Sequence, residues 1–339
     1  MAYTFGSGVR PATSRSSALV ATARVALRLD RRRLPGPSPA DAASQNAALP
    51  VSKENVLFGI LALIASSMLY SASDVASKYL TGSLPPIELA WLRYVVFFAA
   101  VSPMLLVDAG RLLRTRRRKL HLLRGATAAA STVLFVLSLS YMPVAEATSI
   151  GFAAPLFITI LAVIFLGEHV GIRRWSAIFV GLAGVLIVVQ PGSSAFQPAS
   201  LLPLCGAMVS ASSIVALRLM KNERADTTML YTALVGVAIL TVLTTFDWVT
   251  PTWHELGIGL LGGGFVTLAN LVQIFAYRHA PASMLAPFSY LQLIWASGLG
   301  YLVFGIFPGG ATLLGGTIVA ASGLYTAYRE QIRRRAQPA

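Results

Sequence analysis

Three ionisable side chains stand inside long apolar stretches of the sequence, where charges are uncommon. Asp74 and Lys78 lie four residues apart in SASDVASKYL, and Arg93 lies in the next apolar stretch, within ELAWLRY. An aspartate four residues before a lysine has the favourable order for an ion pair along a helix. In one interpretation the three charges neutralise one another, and the long side chains reach toward water. In the other, Arg93 or Lys78 anchors a substrate carboxylate, and Asp74 is its partner until the substrate arrives.

A second group of candidate substrate-binding residues combines amide and aromatic side chains. Its members are Asn270, Gln273, Tyr277, Tyr290, Gln292 and Trp295. The first three are spaced i, i+3 and i+7, which places them on one face of a helix. In the next apolar stretch Gln292 and Trp295 share a face from which Tyr290 is displaced. Such side chains around one cavity suit a flat heteroaromatic or zwitterionic solute. Hydrogen bonding to neighbouring helices is their alternative role.

Two prolines and one glutamate are candidate gating residues. Pro155 and Pro287 interrupt apolar stretches that correspond to each other in an internal repeat, and broken membrane helices often mark a binding site or a gate. Glu168 ends the first of these stretches in the motif FLGEHV, close to Arg173 and Arg174. Inherited kinks, and a charge that marks the membrane boundary, are the plainer interpretations.

The elements that position these residues are predicted to be membrane helices. Of the 339 residues 55% are hydrophobic and only 12% charged, and the mean hydropathy is +0.69. A globular domain usually carries about a quarter charged residues. Ten apolar segments follow, each near the length of ~20 residues that crosses a hydrocarbon layer, and none alternates as a barrel strand would. They cover residues 56–80, 87–107, 122–141, 145–166, 174–190, 200–220, 228–246, 255–277, 282–304 and 311–328.

The basic residues indicate how these segments cross the membrane. All but two of the 27 Lys and Arg residues lie in the two tails or in alternate connections, and the exceptions are Lys78 and Arg93. The positive-inside rule therefore predicts that both termini and the basic connections face the cytoplasm. Because the net charge of +14 follows from topology, we do not expect nucleic acid as a partner. Anionic lipid headgroups are a possible partner of the basic run at 111–119.

The tails and the scattered reactive side chains complete the sequence-based prediction. Residues 1–52 are rich in Arg, Ser and Ala. We expect a disordered basic cytoplasmic tail or an extension from a start codon placed too early, although the composition also resembles a transit peptide. Residues 329–339 are expected to form a second basic cytoplasmic tail. The single Cys205 and four dispersed histidines build no metal or nucleophilic site, so we predict no metal, no cofactor and no enzyme activity.

An internal repeat divides the apolar segments into two sets of five. Because five is odd, the second set would cross the membrane in the opposite direction, as in many secondary transporters. The predicted halves are residues 56–191 and 199–328. The landmarks that align at an offset of 138 or 139 residues are Pro143 with Pro281, Gly167 with Gly305, Gly125 with Gly263, Gly184 with Gly323, and Ser71-Ala72-Ser73 with Ser210-Ala211-Ser212.

Several motifs resemble one transporter family. FLGEHVGIRRWSAIFVGLAGVLIVVQPG, at 165–192, resembles the end of a repeat of the EamA family in the drug/metabolite transporter superfamily. SDVASKYL and ELAWLRY resemble the branch that contains S-adenosylmethionine and riboflavin transporters. APASMLAPFSYLQLIWASGLGYLVFG, at 280–305, is similar to the second repeat of that branch. The resemblance implies that the third, fourth, eighth and ninth helices line the pathway. The second repeat departs from the family pattern, because Ile306 replaces the expected glutamate.

Together these features predict an all-α integral membrane protein with ten transmembrane helices in two inverted five-helix repeats. We expect it in a bacterial inner membrane, moving a small polar or heteroaromatic metabolite by alternating access. S-adenosylmethionine-like, riboflavin-like and amino-acid-like solutes fit the pattern. A flippase of a lipid-linked carrier and a non-transporting receptor are the alternatives. The pattern leaves direction, ion coupling and oligomeric state open.

Overall fold

The computed structural model describes residues 53–105, 114–168, 171–193, 196–220 and 223–335, so the expected tail at 1–52 lies outside the described residues. Within these ranges there are helices and no strands. The helices are α1 (Lys53–Leu80), α2 (Pro86–Val101), α3 (Arg118–Leu139), α4 (Val144–Gly151), α5 (Ala154–Leu161), α6 (Ile172–Val189), α7 (Leu201–Leu219), α8 (Ala225–Thr244), α9 (Trp253–His279), α10 (Ala282–Ser289), α11 (Leu291–Phe304) and α12 (Gly310–Arg335).

Seven helical segments of the described chain are long and apolar enough to cross a membrane. They are Val56–Leu80, Pro86–Leu105, Arg118–Leu139, Val144–Leu166, Pro198–Leu219, Ala225–Thr244 and Trp253–His279. Two shorter apolar helices, Trp175–Val189 and Gly310–Tyr325, accompany them. These segments confirm an all-α protein built for a membrane. The last helix runs on to Arg335, so much of the expected C-terminal tail at 329–339 is helical in its backbone.

The two apolar stretches that contain the candidate gating prolines are both broken. In the first, α4 ends at Gly151 and α5 begins at Ala154, with Pro155 in its first turn, where the missing N–H of proline costs no helical hydrogen bond. A π-helical turn, Ala162–Leu166, follows α5. In the second, Pro287 lies inside α10, and α11 begins two residues after α10 ends at Ser289. A proline inside a helix removes one hydrogen bond and clashes with the preceding turn, which explains a break at this point.

Both broken stretches end on a glycine with left-handed backbone geometry. Gly167 has φ +69° and follows the π-helical turn, and Gly305 has φ +68° and follows α11. Residues with a β-carbon avoid this conformation, so glycine ends a helix there at little cost. The sequence landmark that aligned the two glycines therefore corresponds to a shared helix ending.

Helix α1 is surrounded by helices from distant parts of the chain. It packs most extensively against α9 and also against α11, while α7 packs against α3 and α5. Buried serine hydroxyls join α1 to α9: Ser66 Oγ donates to the Ala269 carbonyl at 2.9 Å, and Ser73 Oγ donates to the Gly262 carbonyl at 2.7 Å. Hydrogen bonds of this kind hold helices together where lipid surrounds the bundle. The charged residues of α1 are consequently held on a fixed element.

Candidate functional site

Asp74 and Arg93 form a buried ion pair between α1 and α2. Arg93 Nη2 donates to Asp74 Oδ1 at 3.0 Å and to the Ser73 carbonyl at 2.8 Å, and Arg93 Nε donates to Ser77 Oγ at 2.9 Å. Asp74 is 6% exposed and Arg93 7% exposed. The guanidinium can satisfy several acceptors at once because its five N–H donors form a planar fork. The pair therefore neutralises both charges while it fixes α2 against the last two turns of α1.

Lys78 does not form the ion pair with Asp74 that their spacing favoured. Its Nζ donates instead to the backbone carbonyl of Leu139, at the end of α3. The Asp74 carboxylate is already paired with the Arg93 guanidinium. The last carbonyls of a helix are unpaired and carry partial negative charge, so the ammonium finds an acceptor there. Asp74 and Lys78 of α1 therefore lie in different environments, and the expected ion pair between them is not formed.

The Lys78 side chain borders a small cavity at the ends of four helices. The cavity has a volume of about 20 Å³ and lies between Lys78, the first residues of α4 and the second half of α11. Its other walls are largely apolar, with Ser297 as a hydroxyl neighbour. A space of this size holds about one water molecule. The ammonium is therefore close to free volume, whereas Asp74 and Arg93 are tightly enclosed.

A third group of contacts joins α1 to two of the candidate amides. The Tyr70 hydroxyl lies 3.0 Å from Asn270 Oδ1 and 3.1 Å from Gln273 Oε1, and Asn270 Nδ2 donates to the Val266 carbonyl at 2.8 Å. Tyr277, on the same face of α9, is 46% exposed. The sequence analysis missed Tyr70. Its signal was its position four residues before Asp74, which puts both side chains on the same side of α1.

The remaining aromatic and amide candidates lie along α11. The Gln292 carbonyl accepts a hydrogen bond from Ser71 Oγ at 3.1 Å, so this turn of α11 contacts α1. The indole Nε1 of Trp295, one turn further on, is buried without a hydrogen-bond partner. Tyr290 lies at the break before α11, and its ring packs against that of Phe152 with centroids 4.9 Å apart. Tyr290 therefore marks the place where the two broken stretches meet.

Glu168 contacts a different arginine from those that its sequence neighbourhood suggested. Its Oε1 lies 3.5 Å from Arg218 Nη1 of α7, and both side chains are partly exposed. The side chains of Arg173 and Arg174 lie outside the described part of the structure. An exposed ion pair of this length contributes little to stability. The role of this ion pair would be to link the end of the first broken stretch to α7.

In the described structure, several of the nine candidate substrate-binding residues fall into separate groups of contacts. Asp74 and Arg93 form one group, Asn270 and Gln273 another around Tyr70, and Lys78 lies apart near the small cavity. Helix α1 contributes to all three groups. Within the described residues no set of three or more His, Cys, Asp or Glu side chains is placed to hold a metal.

Comparison with known proteins identifies the family. Residues 57–190 match the EamA-like transporter family. An S-adenosylmethionine uptake transporter of Rickettsia bellii is 30% identical over 287 residues, covering 84% of this chain and 97% of that protein. A riboflavin transporter of Rhizobium johnstonii is 30% identical over 303 residues, covering 86% of this chain and 98% of that protein. A pseudopaline exporter of Pseudomonas aeruginosa is 26% identical over 270 residues, covering 78% and 94%.

A solved crystal structure shares the fold. It superposes with a TM-score of 0.59 over 83% of this chain and 99% of that chain, at 20% identity. The similarity to the transporters extends along most of the chain and agrees with the apolar helices of membrane-spanning length. It confirms the resemblance that the sequence motifs indicated. The chain belongs to the EamA-like transporter family and is a membrane transporter of small metabolites.

Proposed function

We propose that the protein is a secondary transporter that carries S-adenosylmethionine or a closely similar metabolite across a bacterial inner membrane by alternating access. The observation that carries this proposal is a buried charged pair, Asp74 with Arg93, inside a chain that matches S-adenosylmethionine uptake transporters along nearly their whole length. S-adenosylmethionine combines an amino-acid group with a flat heteroaromatic ring. The chain carries groups suited to each part.

The charged residues of α1 and α2 would bind the amino-acid group. Its carboxylate would bind to Arg93 or Lys78, and its ammonium would bind to Asp74. Arg93 and Asp74 are paired with each other in the structure, so substrate would exchange one ion pair for two. Such an exchange keeps every buried charge neutralised, which a low-dielectric site requires. To bind the substrate, Lys78 would give up only its hydrogen bond to the backbone carbonyl of Leu139.

The amide and aromatic residues of α9 and α11 would bind the ring. Asn270 and Gln273 present hydrogen-bonding groups around Tyr70, and Trp295 offers an unpaired indole N–H. Tyr277, Tyr290 and Gln292 would complete the surface. Flat aromatic faces stack on heteroaromatic rings and attract cations.

We further propose that ten spans form two inverted halves, residues 56–191 and 199–328. The broken stretches support this arrangement. At an offset of 138 residues, α4 (Val144–Gly151) corresponds to α10 (Ala282–Ser289) residue for residue. The same offset relates Leu166, where the π-helical turn ends, to Phe304, where α11 ends. Corresponding breaks in the two halves are typical of transporters with inverted repeats.

Contact between equivalent residues gives a second line of support for this arrangement. Phe152 and Tyr290 occupy aligned positions at the two breaks, and their rings touch. In a symmetric pair, equivalent residues meet each other beside the two-fold axis. Pro155, Pro287 and Glu168 would then act as gating residues at the broken helices around that axis.

Contacts between connections support the proposed orientation. At one end, Thr115 Oγ1 donates to Glu223 Oε1 at 3.1 Å and Arg117 donates to the Leu219 carbonyl, so two basic connections lie together. At the other end, the connection between α8 and α9 contacts α2. At this other end, whose connections hold no Lys or Arg, the exposed aromatic residues include Tyr79, Tyr141, Phe246, Trp248, Trp253, Tyr301 and Phe307. Aromatic residues concentrate at membrane interfaces, and basic residues concentrate on the cytoplasmic side. Both termini would therefore be cytoplasmic, with anionic lipid headgroups at the basic end.

An apolar groove favours a second function, the flipping of a lipid-linked carrier. The groove has a volume of about 310 Å³ and opens between α1, α9 and α11. Its lining residues are Ala72, Val75, Ala76, Tyr79, Ile258, Leu299 and Val303. A hydrocarbon tail could follow this groove while a polar headgroup passed through the bundle.

Transport by the purified protein in lipid vesicles separates the two functions. Labelled S-adenosylmethionine, riboflavin, an amino acid and a lipid-linked sugar would each be tested with and without a pH gradient. We expect saturable movement of S-adenosylmethionine that is competed by the unlabelled compound. Movement of the lipid-linked sugar alone would overturn the metabolite proposal in favour of a flippase. Movement of riboflavin or the amino acid alone would keep the transporter class and replace the substrate.

A further inference from the structure

Glu88 is a buried carboxyl group that the proposed substrate site does not use. It lies in the first turn of α2, close to the molecular surface, yet it is fully enclosed at 0% exposure. Its Oε2 accepts a hydrogen bond from the Val249 N–H at 3.2 Å. Its Oε1 is buried without a hydrogen-bond partner. An ionised carboxylate with one oxygen unsatisfied in such a place is strongly unfavourable.

Within the part of the chain that the structure describes, the surroundings of Glu88 add negative charge and hold no paired cation. The charged groups that act on it are Asp247, in the connection between α8 and α9, and Glu255, in the first turn of α9. Glu255 is held by its own contacts, since it accepts hydrogen bonds from Thr252 N at 2.8 Å and Thr252 Oγ1 at 2.7 Å. Two neighbouring carboxylates disfavour a third charge. A neutral, protonated Glu88 avoids both costs.

Glu88 lies where the connection between α8 and α9 closes over α2. Beside it, the rings of Trp91 and Trp248 pack edge to face with centroids 5.6 Å apart. Trp91 Nε1 donates to Thr241 Oγ1 of α8 at 2.9 Å. The Val249 N–H that contacts Glu88 belongs to the same connection. Any movement of this connection away from α2 must therefore break the Glu88 contact.

We propose that Glu88 is a proton-binding site, and that its proton holds the connection between α8 and α9 against α2. In the closed arrangement the proton is on Oε1, and the second oxygen accepts the Val249 N–H. When the connection lifts, water reaches the carboxyl group, the proton leaves to solvent, and the carboxylate remains hydrated. Higher pH on this side of the membrane thus favours the lifted arrangement. The inference concerns this end of the bundle and is independent of the substrate.

Hydrogen–deuterium exchange of the Val249 amide tests the proposal on the full chain in lipid vesicles. A peptide covering residues 246–252 would be followed near pH 6 and near pH 8, with correction for the intrinsic exchange rate. We expect wild-type protection to fall as the pH rises, by at most about tenfold per pH unit, because opening is linked to the release of one proton. Glu88→Gln, which imitates the protonated group, should show equal protection at both pH values. The matched control Asp247→Asn keeps Glu88 and should retain a pH-dependent fall.

Infrared spectroscopy keeps the proposal testable if Glu88→Gln fails to fold. The wild-type protein should show a carboxylic-acid C=O band that weakens as the pH is raised. Wild-type protection that does not change with pH would overturn the proposal. So would a Glu88→Gln variant whose protection still falls, or the absence of any titrating carboxylic-acid band.

Discussion

Helices α1 and α7 differ in the hydrogen bonds of two serines that the internal repeat aligns, Ser71 and Ser73 of α1 with Ser210 and Ser212 of α7. In α1, Ser71 and Ser73 donate to the carbonyls of Gln292 and Gly262, on other helices. In α7, the aligned Ser210 and Ser212 donate to carbonyls of their own helix, at 3.2 and 3.3 Å. These two aligned serines therefore link α1 to other helices, whereas in α7 they bond within their own helix.

The charged residues differ in the same direction. At an offset of 139 residues Asp74 aligns with Ser213, and Lys78 aligns with Leu217. Ser213 contributes only a hydroxyl, which donates to the Arg124 carbonyl at 3.2 Å. A charge in a membrane helix is costly and is kept where it has a use. Under the proposed repeat, the aligned positions carry charges in α1 and none in α7, so mutagenesis is directed to α1.

The largest effect is expected from Arg93→Ala, which removes the positive charge that neutralises Asp74 of α1. Asp74 would be left buried and unpaired, and breaking such a pair costs about 3–5 kcal/mol. We expect loss of transport, together with a lower midpoint of thermal unfolding for the purified protein. Helix insertion, assayed by membrane fractionation, should be unchanged because the apolar spans are intact. The matched test at the position that aligns with Asp74, Ser213→Ala, should leave transport close to wild type, and loss of transport there would contradict the asymmetry.

A smaller effect, similar in both halves, is expected at the two helix-ending glycines. Gly167→Ala and Gly305→Ala each place a β-carbon on a left-handed backbone, which costs about 1–2 kcal/mol. Space around each glycine is open, so strain in the backbone is the only expected cost. Thermal unfolding of the purified variants should show comparable losses. A loss at one glycine and none at the other would show that the two endings are not equivalent.

The smallest effect is expected from the aligned serines. Ser73→Ala removes a buried hydrogen bond between α1 and α9, and such bonds contribute about 0.6 kcal/mol on average in membrane proteins. Ser212→Ala removes a bond within α7 and should change stability by less than about 0.5 kcal/mol. Unfolding of both variants in the same detergent gives the comparison. Equal losses would remove the distinction between the two helices.

The sequence predicted an all-helical membrane protein and the position of α1, but it predicted the side-chain contacts poorly. The segment predicted at 56–80 is α1, Lys53–Leu80, because a run of apolar residues and the thickness of a membrane set its limits. The partner of Asp74 could not be read in the same way. The spacing within one helix favoured Lys78, and only the packing of α2 brings Arg93 within 3.0 Å.

Breaks in helices were predictable where a residue causes them locally. Pro155 and Pro287 indicated the two interruptions. The buried Glu88 carried no local signal of its role, because its enclosure depends on a connection about 160 positions away in the chain. The contacts of Tyr70 likewise depend on α9, which lies beside α1 only in the folded bundle.

The most direct test of the central claim, that the Asp74–Arg93 pair handles substrate, is counterflow of labelled S-adenosylmethionine through a neutral version of the pair. The double variant Asp74→Asn with Arg93→Gln keeps a neutral polar side chain at each position and leaves no unpaired buried charge, so it should fold and insert into the membrane. We predict that this variant, although folded, exchanges no S-adenosylmethionine above empty vesicles. Counterflow at the wild-type rate would contradict the account and reduce the pair to a structural contact between α1 and α2.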